Sequence, residues 1–341
     1  MSKRRAPLIV LSAVLSVFLL IVLFRRIAPG DYGRMLASIS LLPLLGYMAV
    51  NLAATFLRAW RYKILLRPIP IGWGDILIVT LVRNAFDDLL PARIGSLSYI
   101  YVLNDRLEKP FENAASSFIV AFVFDFLTLA PFIILALAAV GFGMSGLPIV
   151  TMIAIAGAFF AVFALIAWKL APLVRLGRKI AWAITGGSKA GRRPAVIRAF
   201  ENLDQTAAVL EQTRRRGESA MVFGLSILIR LGKYVSLFFL FFAILRGQGV
   251  TWEGMSFWKT VLGLTGAELT SAFPVKGLAG FGTWESAWAV ALQWMRFDPR
   301  LAVLSGLGIH LVTNLFEYAL GLSGLAALAL RRKRDRIARL P

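Results

Sequence analysis

The chain contains no cysteine, which excludes disulfides, thiolate metal sites and cysteine nucleophiles. Its one histidine, His310, leaves little room for an imidazole metal centre or a histidine-based triad, so no metal site and no cofactor is expected. Acidic residues are scarce, 18 against 38 Lys and Arg, for a net charge of +20. In a soluble chain that balance would suggest nucleic acid. Here most bases flank apolar blocks, where the positive-inside rule places them, and no nucleic-acid partner is expected. Ten-residue alternating patterns are missing as well, which argues against a β-barrel.

What the chain has in excess is apolar sequence. Of 341 residues 58% are hydrophobic, at a mean hydropathy of +0.74. A soluble domain usually carries about 45–50% apolar residues. The excess falls in blocks at 8–24, 42–57, 73–90 with 97–104, 114–140, 147–170, 221–245, 257–273 with 284–295, and 301–330. Such blocks have the length a helix needs to cross about 30 Å of hydrocarbon. The fold class is therefore an all-α polytopic membrane protein. Lys3-Arg4-Arg5 before Leu8 to Phe24, with Arg25-Arg26 after it, reads as an uncleaved signal anchor.

Two blocks are broken in the middle. The first break runs from Asn84 through Pro91-Ala92-Arg93-Ile94-Gly95, and the second from Phe273-Pro274-Val275-Lys276-Gly277 to Gly280-Phe281-Gly282. Charge decides whether each broken block crosses or folds back. The stretch 171–219 carries ten Lys or Arg and the tail after Leu330 six, so both should be cytoplasmic. They share a side only if both broken blocks are re-entrant. That gives six full spans plus two re-entrant broken-helix pairs, with both termini cytoplasmic in a multi-pass inner-membrane protein.

The resulting order contains an inverted repeat. Residues 1–41 form the signal-anchor span, 42–140 a first repeat (span, re-entrant pair, span) and 141–170 a connecting span. Residues 171–220 form a basic cytoplasmic loop, 221–330 the second, inverted repeat, and 331–341 a basic cytoplasmic tail. Discontinuous helices in inverted halves are a transporter signature. In the loop, Val196, Phe200, Leu203, Ala207 and Leu210 recur at helical spacing, as in an amphipathic helix on the membrane interface.

Charges inside apolar blocks are the candidate functional residues: Arg83, Asp87, Asp88, Arg93, Asp125, Arg230, Lys233, Glu268, Lys276, Glu285 and Glu317. Each would cost about 2.5–3.5 kcal/mol at the bilayer centre. They must snorkel, pair or line a hydrated cavity. Arg93 and Lys276 sit at the breaks, where free backbone N–H groups and helix N-termini also favour an anion such as a lipid phosphate. Asp87, Asp88, Asp125, Arg230, Glu268, Glu285 and Glu317 are their candidate charge partners, or members of structural ion pairs. Arg58 and Arg61 close the second span, as interfacial anchors or as headgroup ligands. His310, Asn314 and Glu317 share one helix face, which suits an interhelical hydrogen bond or a proton relay. Gly141-Phe142-Gly143-Met144-Ser145-Gly146 matches a dinucleotide fingerprint but joins two spans, and Gly186-Gly187-Ser188-Lys189 lacks the Walker spacing, so no nucleotide chemistry is read here.

Arg58-Ala59-Trp60-Arg61-Tyr62-Lys63, Asn84 through Gly95, and Phe273-Pro274 through Trp284-Glu285 resemble the lysylphosphatidylglycerol synthase transmembrane-region family. This is the flippase-like membrane domain of the multiple peptide resistance factor, and the resemblance covers about residues 8–330. It implies movement of lipids between leaflets, and by analogy Arg93, Lys276 and Glu285 match the positions around the family's two broken helices. The candidate headgroup ligands are Arg93, Lys276, Asn84, Arg58 and Arg61, and the break residues are Pro91, Gly95, Pro274, Gly277, Gly280 and Gly282. Lys276 and Leu278-Ala279 depart from the Pro-Gly-Gly that the family often shows. With Pro341 as the last residue, no soluble aminoacyl-transferase domain and no enzymatic activity is expected. Three readings remain open: a lipid flippase or scramblase, a membrane accessory protein for a separate lipid-biosynthesis enzyme, or an intramembrane enzyme acting on a lipid phosphate.

Overall fold

A computed structural model describes the backbone of residues 6–25, 27–28, 30–67, 69–90, 95–141, 149–185, 194–270 and 278–338, and most side chains within them. Every regular element there is helical. In chain order they are α1 (Ala6–Phe24), α2 (Asp31–Ala37), α3 (Leu41–Leu65), α4 (Trp73–Leu89), α5 (Ser98–Tyr101, continued by a π turn over Val102–Arg106), α6 (Phe111–Gly141), α7 (Ile149–Trp168), α8 (Leu170–Thr185), α9 (Pro194–Arg215), α10 (Ser219–Arg246), α11 (Phe257–Leu269), α12 (Thr283–Trp294) and α13 (Pro299–Ala338).

Among the described residues four helices are long and apolar enough to cross a membrane: α3, α6, α10 and α13. A fifth is added if α7 and α8, bent by 62° where they meet, count as one span. These helices and α1 carry exposed apolar side chains, among them Phe18 on α1, Leu42 on α3, Leu165 on α7 and Leu322 on α13. A water-soluble surface rarely presents so continuous an apolar belt. The elements beside the two breaks are shorter. At 1.5 Å per residue, α11 and α12 are each only about 20 Å long, too short to cross alone.

Helix ends follow local chemistry. Ser256 Oγ accepts the Lys259 N–H at 3.3 Å and starts α11. Glu285, in the first turn of α12, accepts the Gly282 N–H at 2.8 Å and stands where a carboxylate favours the helix dipole. Gly282 itself has φ +85°, and a Cβ there would come within 2.9 Å of Leu19 on α1, so the second break is held against the first helix by a residue that has to be glycine. Gly95 is tighter still: a Cβ would lie 1.6 Å from the Phe86 carbonyl oxygen, so the chain after the first break lies directly on the end of α4.

Packing is organised around α3 and α10, which lie along one another with Gly46 against Phe239 and Gly232 against Ala54. Helix α4 rests on α13, and α11 rests on α6. One apolar core gathers Tyr47, Tyr234, Phe241, Trp288 and Leu304, the other Tyr62, Val79, Tyr99, Leu103 and Phe124. The amphipathic stretch foreseen in the loop is α9, and part of its apolar face is covered by protein. Phe200, Ala207 and Leu210 are buried, and α9 packs on α8 and α6. A neighbouring helix satisfies that stripe as well as lipid does, and the sequence pattern is the same for both.

Candidate functional site

The polar residues of the apolar helices converge on one cavity of about 220 Å³. Helix α3 contributes Asn51, Thr55 and Arg58, at i, i+4 and i+7 on one face. Helix α4 contributes Arg83, Asn84 and Asp87, α6 Asp125, α10 Arg230 and Lys233, α11 Glu268, and α13 His310, Asn314 and Glu317. The second break closes one wall with Gly280 and Trp284.

Most of these charges are paired. Arg61 grips Asp125 with two hydrogen bonds, at 2.6 and 3.2 Å, and also donates to Ser226 Oγ at 3.0 Å. Arg230 donates to the Asp125 carbonyl at 2.7 Å and lies 3.5 Å from Glu268, which also meets Lys233. Arg83 lies 3.3 Å from Asp87, whose carboxylate accepts from Ser96 as well. Glu285 joins His310 Nδ1 at 2.6 Å and belongs to no Lys or Arg pair among the described residues. Trp284 stacks on the His310 ring with centroids 5.2 Å apart and an interplanar angle of 21°.

Arg58 is the exception among the bases of the cavity. Among the described residues its one hydrogen bond is donated from Nη1 to the neutral Asn84 amide oxygen at 2.8 Å, and no carboxylate lies within ion-pair distance. Asn84 also accepts from Arg83 at 3.2 Å and donates to Thr55 at 3.4 Å, which fixes its amide between the two guanidiniums. Arg58 thus presents guanidinium N–H groups beside open volume, the donor chemistry that a phosphate or another oxyanion requires. Helix α13 carries the counterpart: among the described residues Glu317 meets Asn51 alone, at 3.2 Å.

The structure thus gathers Arg58, Asn84, Asp87, Asp125, Arg230, Glu268, Gly280 and Glu317 at the cavity, with Glu285 just behind His310. Arg61 does not line it; it is fully buried against α6 and α10. Arg93, Lys276, Pro91, Pro274 and Gly277 lie outside the described residues, as do the side chain of Asp88, the 186–189 stretch and most of the turn after Gly141. Sequence reasoning passed over Asn51 and Thr55. The signal was available in their helical register with Arg58, a polar stripe on an otherwise apolar helix.

Apolar helices long enough to span, gathered around a polar cavity, define a multi-pass membrane protein. Within that class, the profile of the lysylphosphatidylglycerol synthase TM region matches residues 9–321, and the chain belongs to this family. No curated protein and no solved structure matches it.

Proposed function

We propose that this protein is a lipid flippase or scramblase, moving the phosphate-bearing headgroup of an anionic or aminoacylated phospholipid between leaflets. The observation that carries the reading is Arg58: a guanidinium facing the cavity with a neutral amide as its only partner among the described residues. A phosphodiester there would supply the missing charge, while the acyl chains stay in the surrounding lipid. The cavity volume suits a headgroup and not a whole lipid. An accessory protein has no need of such a cavity, and Asp87, the described member of the carboxylate pair an enzyme would use, is already engaged by Arg83 and Ser96.

The same reading includes six spans, two re-entrant pairs and an inverted repeat in the inner membrane. Its support is reciprocal packing. If α3, α4 and α6 correspond to α10, α11 and α13, then α4 on α13 and α11 on α6 are one contact seen twice, and α3 on α10 is the self-matched contact at the axis. With Glu201 and Glu253 both exposed, cysteines placed there in this cysteine-free chain test the topology. Glu201→Cys should label only from the cytoplasmic side and Glu253→Cys only from outside. The reverse pattern, with Glu201→Cys labelled from outside, would end the re-entrant arrangement.

Function is tested by lipid movement in proteoliposomes, followed by quencher accessibility of fluorescent phosphatidylglycerol against a zwitterionic control. Native protein should move the anionic lipid. Arg58→Ala should slow it by at least about tenfold, the loss of one charge-assisted contact, and Arg58→Lys less. Arg93→Ala and Lys276→Ala extend the test to the two breaks. No movement by folded native protein would set the flippase reading aside.

A further inference from the structure

Helix α8 has two opposite faces. One is taken up by protein. Leu170 and Ala171 are buried, and Arg178 pairs with Asp204 of α9 at 3.0 Å. Arg175 pairs with Glu211 of α9, and the Trp182 ring meets Phe200 edge-on with centroids 5.3 Å apart. The other face carries Leu173, Leu176 and Ile180, at i, i+3 and i+7, and each is about half exposed. The two ion pairs and the ring contact fix the rotation of α8, so this stripe points away from α9.

Three observations say what covers it. The stripe continues the exposed apolar side chains of α7, Val162, Leu165 and Trp168, and Trp168 ends α7 where an interfacial tryptophan belongs. Helix α8 then bends 62° away, so with α7 along the membrane normal it lies nearer the membrane plane than the normal. At 16 residues it is about 24 Å long, too short to cross alone. Finally, exposed Lys169 and Lys179 belong to no ion pair among the described residues. Nor does Arg214, which lines a small cleft together with Trp168. A second copy of this chain, at a net charge of +20, would bring like charge to these bases. An acidic lipid surface brings the opposite charge and an apolar layer beneath it.

We propose that α8 is a membrane-surface helix whose partner is the acidic phospholipid of the leaflet at the end of α7. Leu173, Leu176 and Ile180 enter the acyl boundary and set its depth. Lys169, Lys179 and Arg214 stand at the headgroup level and select acidic lipid, each base favouring such a surface by about fivefold. The pairs Arg175–Glu211 and Arg178–Asp204 are used inside the protein and leave these three bases for the membrane. The surface is separate from the polar cavity, and its binding requires no lipid movement.

The test uses the full, cysteine-free chain in nanodiscs, with a fluorescent nitrobenzoxadiazole label on Leu176→Cys, on Ile180→Cys, or on Glu201→Cys of α9 as the control. Doxyl-labelled phosphatidylcholine quenches a label sunk in lipid, iodide quenches one in water, and neither reaches one covered by protein. Labels at positions 176 and 180 should respond to the doxyl lipid and not to iodide, and the label at 201 should do the reverse. Replacing the quencher by doxyl-labelled phosphatidylglycerol at the same mole fraction should quench position 180 at least about twofold more strongly. That preference should disappear when Lys169→Gln and Lys179→Gln are combined, two exposed changes that leave the α8–α9 pairs intact. Iodide quenching at 176 and 180 would place the stripe in water, and resistance to both quenchers would place it against protein, a second copy included. Either result overturns the proposal. So does equal quenching by the two lipids in the chain that keeps both lysines, or a preference that survives their loss.

Discussion

Arg61 and Asp125 face each other two-on-two, with Nη1 2.6 Å from Oδ1 and Nη2 3.2 Å from Oδ2, and they tie α3 to α6. Ser226 on α10 accepts a third bond from the same guanidinium, so one fully buried side chain joins three helices. Removing one partner strands the other. Asp125→Asn should destabilise the protein by about 3–5 kcal/mol. Replacing both, Arg61→Met with Asp125→Leu, should recover most of that loss, because no charge is left unpaired. Denaturant unfolding in detergent micelles checks both. A single variant as stable as native would show that the pair carries no structural weight.

The second break is anchored by Glu285, whose two oxygens serve different elements. Oε2 caps α12 through the Gly282 N–H, and Oε1 reaches His310 on α13. Glu285→Ala removes both bonds and should cost about 3 kcal/mol, two bonds involving a charged group. Trp284 stacks on both His310 and Trp288, so the near-ultraviolet circular dichroism of these rings should weaken in the same variant. An unchanged aromatic spectrum would mean that the break is held by other contacts.

How legible these features were depends on what each rests on. Helices α3, α6, α10 and α13 could be read directly, because a long continuous apolar run has one stable solution in a bilayer. The helix ends at Leu89 and Leu269 fall where Pro and Gly interrupt the apolar runs, though Pro91 and Pro274 themselves lie outside the described residues. The division of labour between Arg58 and Arg61 could not. The two are three residues apart on one helix, and only tertiary packing sends Arg61 against Asp125 and leaves Arg58 on the cavity. The face of α9 was visible for the same reason that its partner was not: an apolar stripe records that something covers it, and not whether that cover is lipid or α8. Arg83 was visible as a charge in an apolar block, but its sharing of Asn84 with Arg58 depends on the approach of α3 to α4.

Outside the spanning helices, Asp31 gives the protein an acid-sensitive clasp. Its carboxylate takes Arg300 at 2.8 Å and Arg34 at 2.6 Å, fastening α2 to the start of α13. The Arg300 hydrogen bond, followed by that of Arg34, holds its pKa well below the usual carboxylate range. A depressed folded-state pKa contributes stability that is complete above the unfolded value, about 3.9, and is lost as pH falls toward the folded one. Thermal midpoints taken from neutral pH down to about pH 3 should therefore fall more steeply for native protein than for Asp31→Asn. Parallel curves would mean that the clasp does not contribute.

Helices α4 and α13 touch through small residues, and this contact sets the position of the cavity wall. A Cβ on Gly321 would lie 2.3 Å from the Ala85 Cβ, and one on Gly324 would lie 3.2 Å from a Val82 methyl. Such close approach is how helices gain van der Waals contact where lipid supplies no hydrophobic drive. Gly321→Ala must push α4 away and should cost about 1–3 kcal/mol. Ala85→Gly in the same chain reopens the space, so the double variant should regain most of the loss, a coupling that independent sites would not show. Gly157 on α7 is the control. A Cβ there meets nothing within 4 Å, and Gly157→Ala should be neutral or slightly stabilising. Because α4 also presents Arg83, Asn84 and Asp87 to the cavity, lipid movement should slow in Gly321→Ala and return in the double variant. Recovery of stability without recovery of movement would mean that the α4–α13 spacing holds the fold but does not set the site.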